Sequence, residues 1–473
     1  MKKVCLSLVF IVLLLHGTGQ TLTSKLQSVF RKLESDPQMK HGIMSLYVID
    51  AKTGKAIFQK NEQLGLAPAS TQKLVTSAAA FEMLGSSFRY KTELSYSGNI
   101  TSDGILDGNL YLTGSGDPTL GSWRWKETRE EILFLRWVEA LKSNNIRSMN
   151  RSGELRLINE NFSENRFPDG WIWQDIGNYY GAQHGAINWR ENQFDIKFNP
   201  GPSVGDPVKI ISTSPGYLKL DSFIHKELVT GLKGSGDNAY VYLSPTLPDV
   251  LFISGTLPLG EKNFSISAAH PNPMKFISSY INHAAASGDS VARVLQIQNT
   301  GYGLNKPGDV KVIDTYLSPP LDSINYWFLK RSINLYGEAL IKTIAVQKEG
   351  FGSTDRGVEL IRDFWAENGI EKSSLHIVDG SGLSPQNRLT TSALVHVLKY
   401  AKTTSWFGSF YNALPEINGL KMKSGSIGGA RAYAGYHKNK SGAEYIFAIM
   451  VNNYDGSSAS IVRKMFGILD VLK

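Results

Sequence analysis

The chain has 473 residues, of which 42% are hydrophobic and 19% are charged. This composition is typical of a folded globular protein and excludes a disordered or fibrous chain, and the length favours two or three domains. The formal net charge is +8, but the basic residues are dispersed rather than clustered, so no nucleic-acid partner is expected.

The first twenty residues have the layout of a secretory signal peptide. Lys2 and Lys3 precede an apolar run over 4–15, and a short polar stretch follows. A membrane anchor or a buried helix is the alternative, but the run is too short to span a bilayer comfortably. We therefore expect cleavage near residue 20 and export across the inner membrane to the periplasm, without stable membrane insertion.

Metal and thiol chemistry are not expected. Cys5 is the only cysteine and lies inside the predicted signal peptide, so the mature chain would have no disulfide and no thiolate ligand. The nine histidines show no H-E-x-x-H or other paired spacing. No cofactor and no metal site are predicted, and the oligomeric state cannot be deduced from these patterns.

Mixed helix and strand patterns begin after the signal peptide. Apolar residues at helical spacing predict a helix over 24–34, and Ile43–Asp50 and 54–59 read as two strands around a tight turn. Ser70 suits the start of a further helix, which Gly85 would end.

The balance between helical and strand-like sequence patterns changes near residues 88 and 290. Between them short strand-like runs recur with Gly, Asn and Pro turns, and strong helical patterns are few; beyond them helices return, followed by strands and a last amphipathic helix. We predict an α/β (α+β) domain from 21–90 plus 291–473. An inserted β-rich region over 91–290, made of one or two modules, would interrupt it.

Ser70-Thr71-Gln72-Lys73 is the one S-x-x-K motif in the chain. One helical turn places Lys73 on the same face as Ser70, so that its amine can take the hydroxyl proton and activate the serine as a nucleophile. The helix N-terminus also offers backbone N–H groups to an oxyanion. By itself the motif is weak, since an N-capping serine with a surface lysine has the same letters.

Ser332-Ile333-Asn334 is an S-x-N motif at the start of a strong helical pattern. Five other S-x-N triplets occur, beginning at Ser97, Ser143, Ser148, Ser163 and Ser323. The setting favours Ser332, because a hydroxyl and a carboxamide at a helix start can both face a cleft.

Three K-[ST]-G triplets occur, at 52–54, 423–425 and 440–442. The first and last read as hairpin turns, where Gly and small polar residues are expected for structural reasons. Lys423-Ser424-Gly425 precedes a strand, where its ammonium and hydroxyl groups could bind a substrate carboxylate.

The order S-x-x-K, S-x-N, K-[ST]-G is typical of penicillin-binding proteins and serine β-lactamases. The chain resembles the low-molecular-mass class C penicillin-binding proteins, the D-alanyl-D-alanine carboxypeptidase/endopeptidase family, over nearly all of its mature length. Ser332 follows Ser70 by 262 residues, a separation that fits the two extra domains of this family. The resemblance thus implies an antiparallel sheet flanked by helices in the α/β domain and two nested subdomains in the inserted region over 91–290. The segments that carry the resemblance are 48–60 (VIDAKTGKAIFQK), 67–73 (APASTQK), 108–120 (GNLYLTGSGDPTL), 171–182 (WIWQDIGNYYGA) and 379–384 (DGSGLS).

The resemblance implies a serine D,D-peptidase that acts on peptidoglycan stem peptides through an acyl-enzyme and is inhibited covalently by β-lactams. Ser70 would be the nucleophile and Lys73 its base. Ser332 would relay a proton to the leaving amine, and Asn334 would position Lys73 or the substrate amide.

Substrate binding is implied in the same way. Lys423 and Ser424 would hold the terminal carboxylate, Gly425 would complete this substrate-binding triplet, and the N–H groups of Ser70 and Ser426 would form the oxyanion hole. Asp175 and Tyr180 would contact the diamino acid of the stem peptide. This family often has an arginine directly after DGSGLS, whereas this chain has Pro385 there and Arg388 three residues later.

Two alternatives stay open from the residues alone. The chain could be a catalytically silent scaffold that binds the wall, or a β-lactamase-like hydrolase. The long insertion and the missing deacylation glutamate count against the hydrolase.

Overall fold

The computed structural model describes residues 21–218, 224–247, 249–297, 302–303 and 305–473. The predicted signal peptide over 1–20 lies outside them. The α-helices are α1 (Leu22–Glu34), α2 (Lys73–Leu84), α3 (Glu130–Ser143), α4 (Trp173–Ile176), α5 (Pro273–Ser287), α6 (Leu321–Lys330), α7 (Asn334–Glu349), α8 (Thr354–Glu367), α9 (Thr391–Ala401), α10 (Phe407–Ala413) and α11 (Ser458–Leu469).

The strands are β1 (Ile43–Asp50), β2 (Ala56–Lys60), β3 (Lys91–Ile100), β4 (Ile105–Gly114), β5 (Ser148–Met149), β6 (Leu155–Ile158), β7 (Gln193–Asn199), β8 (Lys209–Ser214), β9 (Ile224–Gly231), β10 (Asn238–Leu243), β11 (Leu251–Pro258), β12 (Phe264–Ala269), β13 (Tyr302–Gly303), β14 (Lys311–Leu317), β15 (Leu375–His376), β16 (Arg388–Leu389), β17 (Glu416–Ile417), β18 (Leu420–Ile427), β19 (Ala430–Lys438) and β20 (Glu444–Asn452).

One antiparallel sheet joins the two ends of the described chain. Its strand order is β17-β18-β19-β20-β1-β2. β1 pairs with β20 along its whole length, from Ile43 opposite Asn452 to Asp50 opposite Tyr445. Residues far apart in sequence therefore share one sheet, as the predicted α/β domain requires.

Both faces of this sheet are covered by helices. In β20, Ile446 and Ala448 pack into a core that also contains residues of α2, α7 and α9. The alternate residues Phe447 and Ile449 pack on the opposite face with residues of α1 and α11. Successive side chains of a strand point to opposite faces, so a strand buried on both sides has the nearly continuous apolar pattern that EYIFAIMVN shows.

The middle of the chain forms further sheets with a core of its own. The strand orders are β13-β6-β4-β3-β14, β12-β7-β8 and β10-β11-β9. Two helices that the sequence patterns did not single out, α3 and α5, contribute Trp137, Phe276 and Ile281 to this core. The region is thus rich in strands, as expected, with helices that shield one side of them.

The predicted elements agree with the structure except in detail. The helix predicted over 24–34 begins two residues earlier, where the Thr21 side chain accepts a hydrogen bond from the Ser24 amide. The helix predicted to start at Ser332 is α7, which begins at Asn334 and is separated from α6 by a break at 331–333. In the part of the chain that the structure describes, no helix is long and apolar enough to cross a membrane.

Candidate active site

A cleft of about 1260 Å³ lies where β18, the α6–α7 break and the segment around α4 meet. The predicted residues that line it are Ser70, Asp175, Tyr180, Ser332, Asn334, Ser424 and Ser426. Lys73 and Lys423 are buried at 0% and 2% exposure, and neither they nor Gly425 belong to the lining. The structure therefore brings all the predicted site residues to one cleft, with both lysines beneath its surface.

Ser70 lies in a short 3-10 helix, Ala69–Gln72, that leads directly into α2. Ala69 has a φ of 46°, in the left-handed region that non-glycine residues rarely adopt. The Lys73 Nζ donates a hydrogen bond of 2.9 Å to the Ser70 Oγ. The S-x-x-K spacing thus brings the amine to the hydroxyl, as predicted.

The Lys73 ammonium is surrounded by acceptors. Besides Ser70, its Nζ contacts the Asn334 Oδ1 at 2.6 Å and the Ser381 carbonyl oxygen at 2.6 Å. Burial lowers the pKa of Lys73 to about 7, although the carboxylates of Asp379 and Glu338 oppose the shift. A lysine with this pKa is substantially neutral near neutral pH, and only the neutral amine can accept a proton.

The break between α6 and α7 presents Ser332 to the cleft. Ser332 has a φ of 58°, so the chain turns sharply there and Asn334 becomes the first residue of α7. The Asn334 Nδ2 donates to the Tyr180 carbonyl oxygen at 2.8 Å. Asn334 therefore connects Lys73 to the segment that carries Asp175 and Tyr180.

The K-S-G triplet of the cleft lies within β18. The Lys423 Nζ donates to the Ser424 carbonyl oxygen at 2.8 Å, and burial, together with the nearby Lys73, keeps the Lys423 pKa well below its usual value. The other two triplets lie in the β1–β2 and β19–β20 connections, as predicted. Only the triplet at 423–425 reaches the cleft.

Gly425 lies where β18 passes Ser70. A Cβ atom at this position would lie 2.4 Å from the Pro68 carbonyl oxygen and 3.0 Å from the Ser70 amide nitrogen. Any larger residue would collide with backbone, so glycine is needed for this close approach. The Ser70 amide and the strand that carries Ser426 are thereby held next to each other.

The 379–384 segment packs against the residues on both sides of Ser70. Gly382 has a φ of 80°, and a Cβ there would lie 2.0 Å from the Ala69 carbonyl oxygen. The buried Asp379 carboxylate accepts hydrogen bonds from the side chains of Gln72, Trp171 and Asn387 and from the amides of Gly382 and Ser384.

Asp175 and Tyr180 lie on the wall contributed by the middle of the chain. Burial raises the pKa of Asp175 to about 6, although the hydrogen bond with Tyr180 acts in the opposite direction and lowers this pKa.

The arginine noted after the 379–384 segment does not reach the cleft. Arg388 is exposed, and its Nη1 donates to the Pro385 and Asn387 carbonyl oxygens. The arginines of the cleft lining are instead Arg124, Arg331 and Arg431.

A buried ion pair at the cleft was missed by sequence reasoning. The Arg124 Nε lies 2.6 Å from the Glu191 Oε1, and the same oxygen accepts from the Tyr336 hydroxyl at 2.8 Å. Tyr336 is in the first turn of α7, so this contact ties the middle of the chain to the helix that carries Asn334. Arg124 and Glu191 are 67 residues apart, and no local pattern indicates their pairing.

Glu338 was also missed, although its spacing was a usable signal. It follows Asn334 by four residues on α7, which puts both on one helix face. Its carboxylate accepts from the Gly380 amide, and burial and Asp379 raise its pKa to about 8.

Comparisons with a family model and with known proteins all match D-Ala-D-Ala carboxypeptidases. The model of the D-Ala-D-Ala carboxypeptidase 3 (S13) family matches residues 26–419. The chain is 26% identical to the D-alanyl-D-alanine carboxypeptidase of Actinomadura sp. (strain R39), over 96% of this chain and 86% of that protein. It is 27% identical to the D-alanyl-D-alanine carboxypeptidase DacB of Haemophilus influenzae, over 82% of this chain and 80% of that protein.

A solved structure has the same fold. The crystal structure of penicillin binding protein 4 (dacB) from Haemophilus influenzae superimposes with a TM-score of 0.77 at 22% identity, covering 94% of this chain and 99% of that chain. The expected α/β fold, with its antiparallel sheet flanked by helices, is confirmed.

Proposed function

This chain belongs to the D-Ala-D-Ala carboxypeptidase 3 (S13) family, and from this premise we propose that Ser70 is the nucleophile of its peptidase reaction. The enzyme is a serine-type D,D-peptidase of the D-Ala-D-Ala carboxypeptidase type. The observation that carries the assignment of Ser70 is its 2.9 Å contact with Lys73, an amine whose pKa is lowered to about 7.

Acylation follows from this contact. The neutral Lys73 amine takes the Ser70 hydroxyl proton while Oγ attacks the carbonyl carbon of the penultimate D-Ala. The Ser70 and Ser426 amides receive the oxyanion, which needs donors already in place. The C–N bond then breaks, and the proton passes through Ser332 to the departing amine. Water hydrolyses the resulting ester and releases Ser70.

Substrate binding uses both walls of the cleft. Ser424 holds the terminal carboxylate, and the buried Lys423 amine lies beneath it. Asp175 and Tyr180 contact the diamino acid side chain of a peptidoglycan stem peptide. β-Lactams enter in the same orientation and acylate Ser70 when their ring opens.

We also propose the domain arrangement and the compartment. The peptidase domain comprises 21–90 and 291–473, and 91–290 is inserted into it as a β-rich region with two subdomains. The common core of β1, β20, α2 and α7 supports this division. Stem peptides lie outside the inner membrane, so the enzyme acts in the periplasm after removal of 1–20.

The test combines two assays on the exported chain. We expect release of D-Ala from a peptide ending in D-Ala-D-Ala, and a single stable benzylpenicillin adduct in the intact-protein mass spectrum. Rapid turnover of benzylpenicillin with no peptide cleavage would instead indicate a β-lactamase. A folded protein that reacts with neither would be a silent scaffold.

The pH dependence of acylation tests Lys73 as the base. Because only the neutral amine accepts a proton, the second-order rate constant for benzylpenicillin should reach a plateau above the Lys73 pKa of about 7. Below it the rate should fall about tenfold per pH unit, as the protonated fraction grows. Stopped-flow or quenched mass measurements between pH 5 and 9 check this, and a flat profile from pH 5 to 7 would contradict the assignment.

A further inference from the structure

Four aromatic rings form an exposed surface beside the cleft, on the wall that carries Asp175. The ring of Trp173 lies 4.8 Å from that of Tyr242 and 5.6 Å from that of Phe252, measured between ring centres. Tyr242 stacks on Phe252 at 4.9 Å, and Tyr240 extends the set at 6.4 Å from Tyr242. Trp173 and Tyr240 are 47% and 39% exposed. We call these four rings the aromatic platform, and an exposed apolar surface of this kind generally marks a binding site.

The sheet register holds the platform in place. Tyr240 and Tyr242 are two residues apart on β10, so both point to one face of the β10-β11-β9 sheet. Phe252 lies directly opposite Tyr242 in the β10–β11 ladder. The Trp173 Nε1 donates to the Leu243 carbonyl oxygen at 2.8 Å, which fixes the indole beside the strand. The rings are therefore positioned before a ligand binds.

Polar side chains lie next to the rings. Ser254 is opposite Tyr240 in the ladder, and Asn238 is two residues before Tyr240 on the same face. Ser254 is partly exposed and Asn238 is exposed. A sugar ring suits such a surface, because its apolar C–H face is attracted to the electron-rich face of an aromatic ring. The hydroxyl and acetamido groups at the edge of the sugar can then form hydrogen bonds with the polar neighbours.

The platform is continuous with the cleft. Tyr240 belongs to the cleft lining, and Trp173 lies two residues before Asp175 in α4. In the proposed binding mode Asp175 contacts the diamino acid of the stem peptide. Two amino acids and a lactyl group link this diamino acid to a sugar of the glycan strand, and three such units span at most about 10 Å when extended. The platform thus begins within reach of the sugar.

We propose that the aromatic platform binds a sugar ring of the glycan strand to which the stem peptide in the cleft is attached. This inference rests on the proposed function. The sugar is an N-acetylated hexosamine, and it stacks on the rings without any covalent step. The enzyme thereby binds a stem peptide that is still attached to its sugar more tightly than the free peptide.

The test compares a disaccharide-pentapeptide with the free pentapeptide of the same sequence, both ending in D-Ala-D-Ala. For the wild type we expect kcat/KM to be about tenfold higher on the disaccharide-pentapeptide, mainly through a lower KM. Trp173→Ala and Tyr242→Ala should each remove most of this advantage. Neither residue lines the cleft, so release of D-Ala from the free pentapeptide should not change in either variant.

Two further variants complete the design. Trp173→Phe keeps an aromatic ring and should retain most of the advantage. Phe351→Ala is the matched control, because Phe351 is 50% exposed but lies outside the platform and the cleft lining. It should behave as the wild type on both substrates.

The outcomes separate this inference from the proposed function. Equal kcat/KM of the wild type on the two substrates would overturn the inference alone, whereas failure to release D-Ala from either would refute the proposed function and the inference with it. An equal loss on both substrates in Trp173→Ala and Tyr242→Ala would show that the rings only support the cleft wall. Sedimentation velocity tests the remaining occupant: a wild-type dimer that Tyr242→Ala dissociates, with the substrate preference unchanged, would make the platform a contact between two copies and overturn the proposal.

Discussion

Ser70→Ala is expected to take up no benzylpenicillin and to lose all measurable release of D-Ala. The hydroxyl is the group that the Lys73 amine contacts at 2.9 Å, and without an oxygen nucleophile no ester can form. Intact-protein mass after incubation with benzylpenicillin is the measurement. The substitution removes one oxygen from a half-buried residue, so thermal unfolding should remain close to that of the wild type.

Ser332→Ala is the informative comparison, since Ser332 also lines the cleft. In the proposed mechanism it moves a proton but forms no bond to the acyl group. The Ser332→Ala protein should therefore give the same adduct, more slowly, and peptide mapping should locate it on Ser70. An adduct that persists in Ser70→Ala and disappears in Ser332→Ala would exchange the roles of the two serines.

Gly425→Ala is expected to lower the rate of acylation by about 100-fold or more while the protein still folds. The added methyl group would lie 2.4 Å from the Pro68 carbonyl oxygen and 3.0 Å from the Ser70 amide nitrogen. β18 must then move away from Ser70, which separates the two amides of the proposed oxyanion hole. Loss of one such donor costs about 10²–10³ in rate. The rate constant for benzylpenicillin acylation measures the effect.

Gly428→Ala is the matched control three residues along the chain. A Cβ there meets nothing within 4 Å, so the same chemical change should leave acylation by benzylpenicillin within about twofold of the wild type, as for exposed substitutions generally. If both glycine variants were equally impaired, the close contact at Gly425 would not be the cause. A Gly425→Ala protein with normal acylation would refute the role of this approach.

Local sequence patterns were sufficient to predict a contact or an element wherever all of its residues lie in one short segment. Ser70 and Lys73 are separated by one helical turn, so their contact follows from backbone geometry. The apolar residues of the segments that form β1 and β20 were likewise sufficient to identify both as strands. The two hairpin K-[ST]-G triplets could be set aside because turn residues follow local rules.

The break between α6 and α7 shows where the local patterns failed. No proline or glycine lies at 331–333, so the helix start predicted at Ser332 gave no sign that the preceding helix ends there in an unusual backbone conformation. The backbone nevertheless reverses at Ser332, with a φ of 58°. Such a conformation persists only where the surroundings hold it, and here Asn334 contacts Lys73 and the Tyr180 carbonyl oxygen.

The sequence by itself determined the Ser70–Lys73 motif, the order of the three motifs and the α/β character of the chain, because each depends on spacing within one segment or on composition. Only the tertiary structure decided that Arg124 pairs with Glu191, that Gly425 touches the Ser70 amide and that Arg431 rather than Arg388 lines the cleft. These contacts join segments brought together by strand pairing and core packing. A side chain's partners across such distances depend on the whole fold, and no local period encodes them.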